Sequence, residues 1–271
     1  MRTLLSVAAV AAAAVVTAAV ARSAPAHPSA AVVPARHIVV AELFTSEGCS
    51  SCPPADALLQ RISATSPVEG VEVIGLEEHV DYWDNLGWRD PFSSAAFTRR
   101  QSDYSDRVFR NGEIYTPQLV VDGAFEAIGS DGGAVRDAIV HAAARPAADV
   151  TVAARASGGQ AHVEVSVRIP DSIARRKTTD IYVALVEDGL TTRVERGENH
   201  GRTLPHFAVV RSLKAIGSVP PQATAGSAAA DIAFGQDWQP QRVRVIAFAQ
   251  ERDRLNVLGA GSTALSSAAD R

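Results

Sequence analysis

The two cysteines of the chain, Cys49 and Cys52, are separated by two serines. A short apolar run, residues 38–44, precedes them and is typical of a buried strand. A helix-like run follows, and Pro53 and Pro54 fit in its first turn, where helix N–H groups are unpaired. These N–H groups and the helix dipole favour an anion, so a thiol there loses its proton more easily. We therefore predict thiol–disulfide exchange, with Cys49 as the nucleophile and Cys52 as the resolving thiol.

Two other interpretations of the cysteine pair stay open. The pair can form an inert structural disulfide in a non-catalytic binding module. Alternatively, Cys49, Cys52 and His79 can bind or deliver a metal such as copper, although a metal site needs about two ligands beyond the thiols. Copper chaperones usually carry additional Met or His near the site, and the one Met of this chain is its first residue. This favours redox chemistry over copper binding. Under the redox interpretation, we predict no cofactor and no metal for the protein.

The order of predicted elements in the first half is strand, helix, strand, helix, strand, strand, helix. Strands at 38–44 and 71–76 flank the first helix, so they are expected to be parallel. A helix is predicted over residues 93–108, and an Asp-Gly turn at residues 122–123 indicates a hairpin. This order is that of a thioredoxin-like α/β fold with a helical insertion.

A proline at the start of a strand, Pro117, is the second element of the predicted site. In the thioredoxin fold, a cis proline lies against the cysteine pair, and the residue before it offers backbone groups to an extended substrate. We therefore predict a cis Thr116–Pro117 bond, although cis bonds are otherwise uncommon. A trans proline at the beginning of a strand is the alternative.

Two ionisable residues, His79 and Glu42, are predicted to exchange protons with the thiols. His79 and Asp81 follow the second parallel strand, so they are expected at the same sheet edge as the cysteines. His79 can take or return a thiol proton, or be an ordinary loop histidine. Glu42, expected behind Cys52, can accept that thiol's proton through water, or be a paired structural carboxylate. Three aromatic residues are predicted to cover the site or a core: Tyr82, Trp83 and Trp88.

The second half of the chain contains short strand-like segments and no convincing helix. Two segments alternate around Ser157-Gly158-Gly159, which indicates a hairpin. Several short strands at even spacing predict a β-sandwich-like domain. Glu198, His200 and His206 are candidate metal ligands there, although a polar loop with satisfied hydrogen bonds is the preferred interpretation.

The N-terminal residues have the three parts of a secretory signal peptide: a charged start, an apolar middle and an A-x-A end. We predict a cleaved signal peptide at 1–26, with an uncleaved anchor helix as the alternative. The predicted organisation continues with a disordered lead (27–36), a thioredoxin-like domain (37–146), a β-sandwich-like domain (147–262) and a tail (263–271).

Export defines the predicted compartment and partners. The mature protein is expected to be periplasmic or secreted and free of the membrane, where a disulfide persists. Its partners are expected to be cysteine-containing envelope proteins or a redox partner. The formal net charge is −4 and no basic stripe is present, so nucleic acid is not a predicted partner.

Several motifs together resemble an exported thioredoxin-like bacterial family that is catalogued as a secreted domain of unknown function. The motifs lie at residues 42–56, 79–84, 87–88, 100–101 and 115–118, with weaker likeness at 198–199 and 206–213. The resemblance implies the fold, export and redox class, and it implies no substrate. Redox thioredoxins carry a Trp before the first cysteine, whereas Gly48 stands there in this chain.

Overall fold

The structure is a computed structural model that describes residues 37–267. The predicted signal peptide and lead lie outside these residues, as do residues 268–271 of the predicted tail. Its strands are β1 (His37–Thr45), β2 (Val71–His79), β3 (Gln118–Val121), β4 (Phe125–Ile128), β5 (Asp149–Ser157), β6 (Gln160–Arg168), β7 (Thr179–Glu187), β8 (Leu190–Arg193), β9 (Thr203–His206), β10 (Val209–Val219), β11 (Ala225–Ala233), β12 (Val243–Glu251), β13 (Val257–Ala264) and β14 (Ser266–Ser267). Its helices are α1 (Pro53–Ala64), α2 (Ala95–Tyr104) and α3 (Gly132–Ala143), with a π-helical turn at Ser105–Phe109 and a 3-10 turn at Pro240–Arg242.

Most strands belong to one mixed sheet of eight, in the order β13-β12-β7-β10-β2-β1-β3-β4. β1 and β2 are parallel, and β3 runs antiparallel to β1. The remaining strands form a four-stranded sheet, β11-β6-β5-β14, and the β8–β9 hairpin. Within the described residues, no helix is both long and apolar enough to cross a membrane.

The two faces of the large sheet have different covers. Alternate side chains of β1 show this, because Val39, Ala41 and Leu43 pack with α1 and α3 on one face. Val40 lies on the opposite face, in the cluster that contains Phe97 of α2. The four-stranded sheet packs on β7, β12 and β13 through a third apolar cluster, on the face that α1 and α3 cover. The core is therefore layered on both sides of one sheet.

The predicted fold class, a thioredoxin-like α/β domain followed by an all-β sandwich-like domain, is wrong. Strands hold 43% of the described residues and helices 18%, and the large mixed sheet runs through both halves of the chain. The two halves meet where β10 pairs with β2, at Val209 and Glu77. The sequence predicts β2 as a strand. Its second neighbour in the sheet, β10, lies more than 100 residues further along the chain, so no local sequence pattern indicates that the two strands pair.

The boundaries of the individual elements agree better with the sequence than the fold class does. The predicted hairpin at residues 157–159 joins β5 and β6, and the Asp122–Gly123 turn joins β3 and β4. The boundary predicted after residue 146 falls between α3 and β5, while the described residues, 37–267, belong to one compact unit. As a boundary between separately folding parts, it stays a prediction.

A buried carboxyl group lies in the β3–β4 turn. The side chain of Asp122 is 6% exposed, and its Oδ1 accepts a hydrogen bond from the Val40 N–H at 2.8 Å. Asp122 has a φ of 46° and Gly123 one of 62°, in the left-handed region that Asn, Asp and Gly tolerate. A Cβ at Gly123 would also lie 1.9 Å from the Leu255 oxygen. Burial raises the pKa of Asp122 to about 7.

We predict that Asp122 makes the protein less stable as the pH rises. Its folded-state pKa lies above the unfolded value, so the folded state binds the extra proton, and stability falls between about pH 4 and pH 7. Asp122→Asn keeps the acceptor and the turn conformation, so it should remove about 2–4 kcal/mol of this pH-dependent loss. Chemical denaturation at pH 5 and pH 8 measures it, with the exposed Asp137→Asn as control. An unchanged pH dependence in Asp122→Asn would contradict the prediction.

Candidate functional site

The cysteines lie where β1 passes into α1. Cys49 and Cys52 form a disulfide, and Cys52 is the N-cap residue of α1, directly before the two prolines. Both cysteines are fully buried, whereas Ser50 and Ser51 are exposed. The Ser51 hydroxyl oxygen lies 3.3 Å from the Cys49 sulfur. The cysteine pair predicted at the start of a helix is therefore present as a disulfide, with the exposed Ser50 and Ser51 next to it in the loop.

The parallel pairing of β1 and β2 brings His79 to the same edge of the sheet. His79 lies opposite Thr45 in register, and the Val80 N–H donates to the Thr45 oxygen at 2.9 Å. The His79 ring is buried, and its Nδ1 lies 2.7 Å from Asp90 Oδ2. Its proposed role with the thiols stays a prediction. Asp81 lies just beyond and accepts a hydrogen bond from Thr98.

Thr116 and Pro117 lie beside the first turn of α1, and the peptide bond between them is cis. A Cβ built on Gly129 would lie 3.1 Å from the Cβ of Ala55 and 3.3 Å from that of Pro117. These shared contacts place the proline next to the helix that begins at Cys52. The Thr116 hydroxyl accepts a hydrogen bond from Trp83 Nε1 at 2.8 Å.

Two of the predicted aromatic residues cover the cysteine loop. The Trp83 side chain packs on Gly48, where a Cβ would lie 3.1 Å from it. Gly48 therefore leaves room for an indole that comes from the β2–α2 connection. Trp88 donates from Nε1 to Glu47 Oε2 at 2.7 Å. The loop before Cys49 is thus held from one side by two tryptophans.

Glu42 does not lie where the sequence analysis expected it. It shares the face of Val40, opposite α1, where its carboxylate accepts hydrogen bonds from Arg100 Nε at 2.5 Å and the Tyr104 hydroxyl at 2.6 Å. Glu78 lies beside it, and burial followed by the charge of Glu42 raises the pKa of Glu78 well above its ordinary value. The structure thus favours the paired structural carboxylate for Glu42.

The β8–β9 hairpin covers the cysteine loop from the second side. Its buried Asn199 donates from Nδ2 to the oxygens of Glu47 and Cys49, both at 2.9 Å. The Ser50 N–H donates to Glu198 Oε2 at 3.0 Å, and the Ser50 side chain followed by this N–H lowers the pKa of the Glu198 carboxyl. Asn199 belongs to a weaker part of the family resemblance, which implies no role for it, and only the tertiary fold brings it to residue 49.

A buried cluster of two histidines and a carboxylate lies behind this loop. The ligand atoms of Glu77, His79 and His206 all lie within 4.8 Å of one another. Glu77 and His79 are two residues apart on β2, so their side chains share a face, and His206 ends β9. His206 Nε2 lies 2.9 Å from Glu47 Oε1. The hairpin thus reaches the site at two points, Asn199 in its connecting loop and His206 at the end of β9.

Carboxylates dominate the electrostatics of this cluster. Burial opposes a charged imidazole, but Asp90 and Glu77 outweigh it and raise the pKa of His79 well above its ordinary value. Burial likewise opposes charging of His206, while its hydrogen bond to Glu47 and the nearby Glu77 carboxylate raise its pKa to about 9. In the adjoining helix turn, burial and then the Glu77 charge raise the pKa of Asp56 to about 7.

The metal ligands considered from the sequence are not brought together. Neither cysteine joins Glu77, His79 and His206, the one group of potential ligands that converges within the described residues. Of the second predicted set, His200 is exposed and Glu198 bonds to Ser50, so only His206 is directed inward.

Comparison with known proteins identifies the family. Residues 40–250 match the family described as "Protein of unknown function (DUF1223)". The chain belongs to this family. The resemblance inferred from its motifs is thereby confirmed as a family assignment. No match was found among curated proteins.

Two solved structures are similar to this DUF1223 protein over most of its length. Protein AGR_C_4864 from Agrobacterium tumefaciens is 25% identical, with a TM-score of 0.63, covering 86% of this chain and 96% of its own. HBP35 of Porphyromonas gingivalis is 14% identical, with a TM-score of 0.64, covering 87% of this chain and 78% of its own. The second likeness shows the fold alone.

We predict that Asn199 of this DUF1223 protein protects the disulfide from small thiols. Asn199→Ala removes two hydrogen bonds to the loop, so the free energy of unfolding should fall by about 2 kcal/mol. Dithiothreitol under native conditions should then reduce the disulfide at least about tenfold faster. The exposed Asn85→Ala is the matched control. Lower stability with an unchanged reduction rate would show that Asn199 does not limit access.

Proposed function

We propose that this protein is an exported thiol–disulfide oxidoreductase that acts through Cys49 and Cys52. The observation that carries the proposal is the disulfide across the start of α1, with Cys52 as the N-cap residue. The Ser51 hydroxyl near the Cys49 sulfur supports it, since that hydroxyl can donate to a thiolate.

The exchange is balanced between two cysteine pairs. A thiolate of the partner attacks the Cys49 sulfur and forms a mixed disulfide, while the Cys49–Cys52 bond breaks and its electron pair leaves on Cys52, which takes a proton. The second partner thiolate then attacks the partner sulfur of the mixed disulfide and releases Cys49, which takes the second proton. Two electrons and two protons pass from the partner dithiol to this protein. The reverse sequence oxidises the protein again.

Access to the sulfurs requires the hairpin to move. Both cysteines are fully buried, and Asn199 and Glu198 hold the loop that contains them. These contacts go to backbone atoms of Glu47, Cys49 and Ser50, which the backbone of an extended partner can bond instead. We therefore propose that a cysteine-containing protein of the cell envelope displaces the hairpin when it binds.

The export part of the proposal rests on residues 1–26, whose composition is that of a signal peptide. An oxidising compartment agrees with a disulfide that links the two cysteines of the chain.

A non-catalytic binding module with a structural disulfide is the second candidate. The complete burial of both cysteines favours it, because structural disulfides are shielded from thiols. The reduction potential separates the two candidates.

We predict that the Cys49–Cys52 pair has a reduction potential above about −300 mV, the upper limit typical of structural disulfides. Equilibration with glutathione buffers of known potential measures it. Cys52→Ser should form a mixed disulfide with oxidised glutathione or a disulfide peptide, which mass spectrometry detects. Cys49→Ser is the matched control and should trap far less.

A potential below about −300 mV together with no mixed disulfide on Cys52→Ser would establish the structural disulfide instead. Thermal unfolding of both serine variants shows whether the trapping experiment was made on folded protein.

A further inference from the structure

Three buried polar atoms of one cluster behind the cysteine loop have no hydrogen-bond partner in the part of the chain that the structure describes. They are Glu77 Oε1, His79 Nε2 and His206 Nδ1, and their side chains are at most 4% exposed. An unpaired buried polar group costs free energy, about 1–3 kcal/mol for a neutral group. Three such groups in one cluster therefore indicate a ligand that all three side chains can bind.

The spacing fits ligands of a common ion better than hydrogen-bond partners. The second oxygen of the same carboxylate, Glu77 Oε2, lies 3.7 Å from His79 Nε2 and 3.7 Å from His206 Nδ1. Hydrogen bonds between such atoms are about 2.7–3.2 Å long. Ligands at about 2.0–2.1 Å from a tetrahedral Zn²⁺ are separated by roughly 3.3 Å. The observed spacing is close to this edge length.

The second nitrogen of each ring is held by a carboxylate. His79 Nδ1 lies 2.7 Å from Asp90 Oδ2, and His206 Nε2 lies 2.9 Å from Glu47 Oε1. An N–H on each of these nitrogens places the lone pair of the other nitrogen toward Glu77. Metal-binding histidines almost always donate their second N–H to such an acceptor, which fixes the ring and the tautomer.

The two carboxylates that orient the rings are themselves fixed. Asp90 accepts N–H bonds from Glu47 at 2.8 Å and from Phe92 at 2.9 Å. Glu47 accepts the Trp88 indole N–H at 2.7 Å. Both rings therefore have one orientation in which their free nitrogens converge.

We propose that Glu77, His79 and His206 bind a divalent first-row transition ion. Two imidazoles and a carboxylate are the donor set of Zn²⁺ and Fe²⁺ sites that keep a further position open. A cleft of about 50 Å³, lined by Glu77, Asp56 and the residues around them, adjoins the cluster. It is large enough for water, which can complete the coordination.

The negative charge around the cluster is compatible with a bound divalent cation. Glu47, Glu77 and Asp90 surround the two rings, and among residues 37–267 their ion-pair partners are these histidines alone. Buried carboxylates need a compensating positive charge. The two rings supply it when they are protonated, and a divalent ion that displaces their two protons supplies the same charge.

This site is independent of the thiols. The cluster is complete while Cys49 and Cys52 are joined as a disulfide, so binding is expected in the oxidised protein. A site made of Cys49, Cys52 and His79 would instead require reduction, because the thiolate is the ligand.

The test uses the mature, untagged protein in its oxidised form, with Zn²⁺ and Co²⁺ as probes. We expect one equivalent of Zn²⁺ by elemental analysis after dialysis, and Co²⁺ absorption bands of a four- or five-coordinate site. Glu77→Gln and His206→Gln should each weaken Zn²⁺ binding about 100-fold or more, and Asp90→Asn about 10–100-fold. The exposed His200→Ala, on the same hairpin, is the matched control and should bind as the wild type does.

The absence of stoichiometric Zn²⁺ binding to the folded, oxidised wild type would overturn the proposal. Binding that appears only after reduction, or that survives in Glu77→Gln, would overturn it as well. Circular dichroism and thermal unfolding check the variants. If His206→Gln does not fold, Glu77→Gln decides, because it keeps its size and an oxygen that can accept from the Phe207 N–H.

Discussion

The pairing of β2 with β10 is the contact on which the rest of the structure depends. The Glu77 N–H donates to the Ala208 oxygen at 2.9 Å, and Val209 is the register partner of Glu77. This contact joins the two halves of the chain into one sheet. Because the β8–β9 hairpin immediately precedes β10, it also places the hairpin beside the loop that carries the cysteines. Asn199 and His206 reach the site for this reason.

Strand β2 then divides the buried charges between the two faces of the sheet. Glu77 and Glu78 are adjacent, so their side chains point in opposite directions. Glu78 meets Glu42 and Arg100, and the Arg100 guanidinium forms ion pairs with both carboxyl groups. Glu77 meets two imidazoles and no arginine or lysine among its described ion-pair partners. The first cluster therefore has its own guanidinium beside two carboxyl groups, although the Glu78 oxygens have no hydrogen-bond partner among residues 37–267. The second has two imidazole donors and a carboxylate, which are the donors of a binding site.

The local elements were predictable from the sequence, and their assembly was not. The hydrophobic periodicity, the two prolines and the Asp-Gly turn act within a few residues, and they correctly indicated β1, α1 and the β3–β4 hairpin. The side of the sheet on which Glu42 lies was also predictable. Side chains alternate along a strand, so Glu42 points away from α1 when Ala41 and Leu43 pack against it. The fold class failed because the second edge of β2 pairs with a distant strand. Asn199 and His206 could not be connected with Cys49 for the same reason.

The buried disulfide can still take part in exchange, because the β8–β9 hairpin that covers it is held on the cysteine loop by hydrogen bonds. Asn199 and Glu198 contact the loop through hydrogen bonds to backbone atoms, each with a net contribution of about 1 kcal/mol. An apolar cover would cost roughly 25 cal/mol for each Å² it exposed on opening, with no replacement from a polar partner. The opposite end of the hairpin is anchored at His206 in the buried cluster. An ion bound there would fix this end while the tip at Asn199 opens, so the metal and the disulfide would act on two ends of one hairpin.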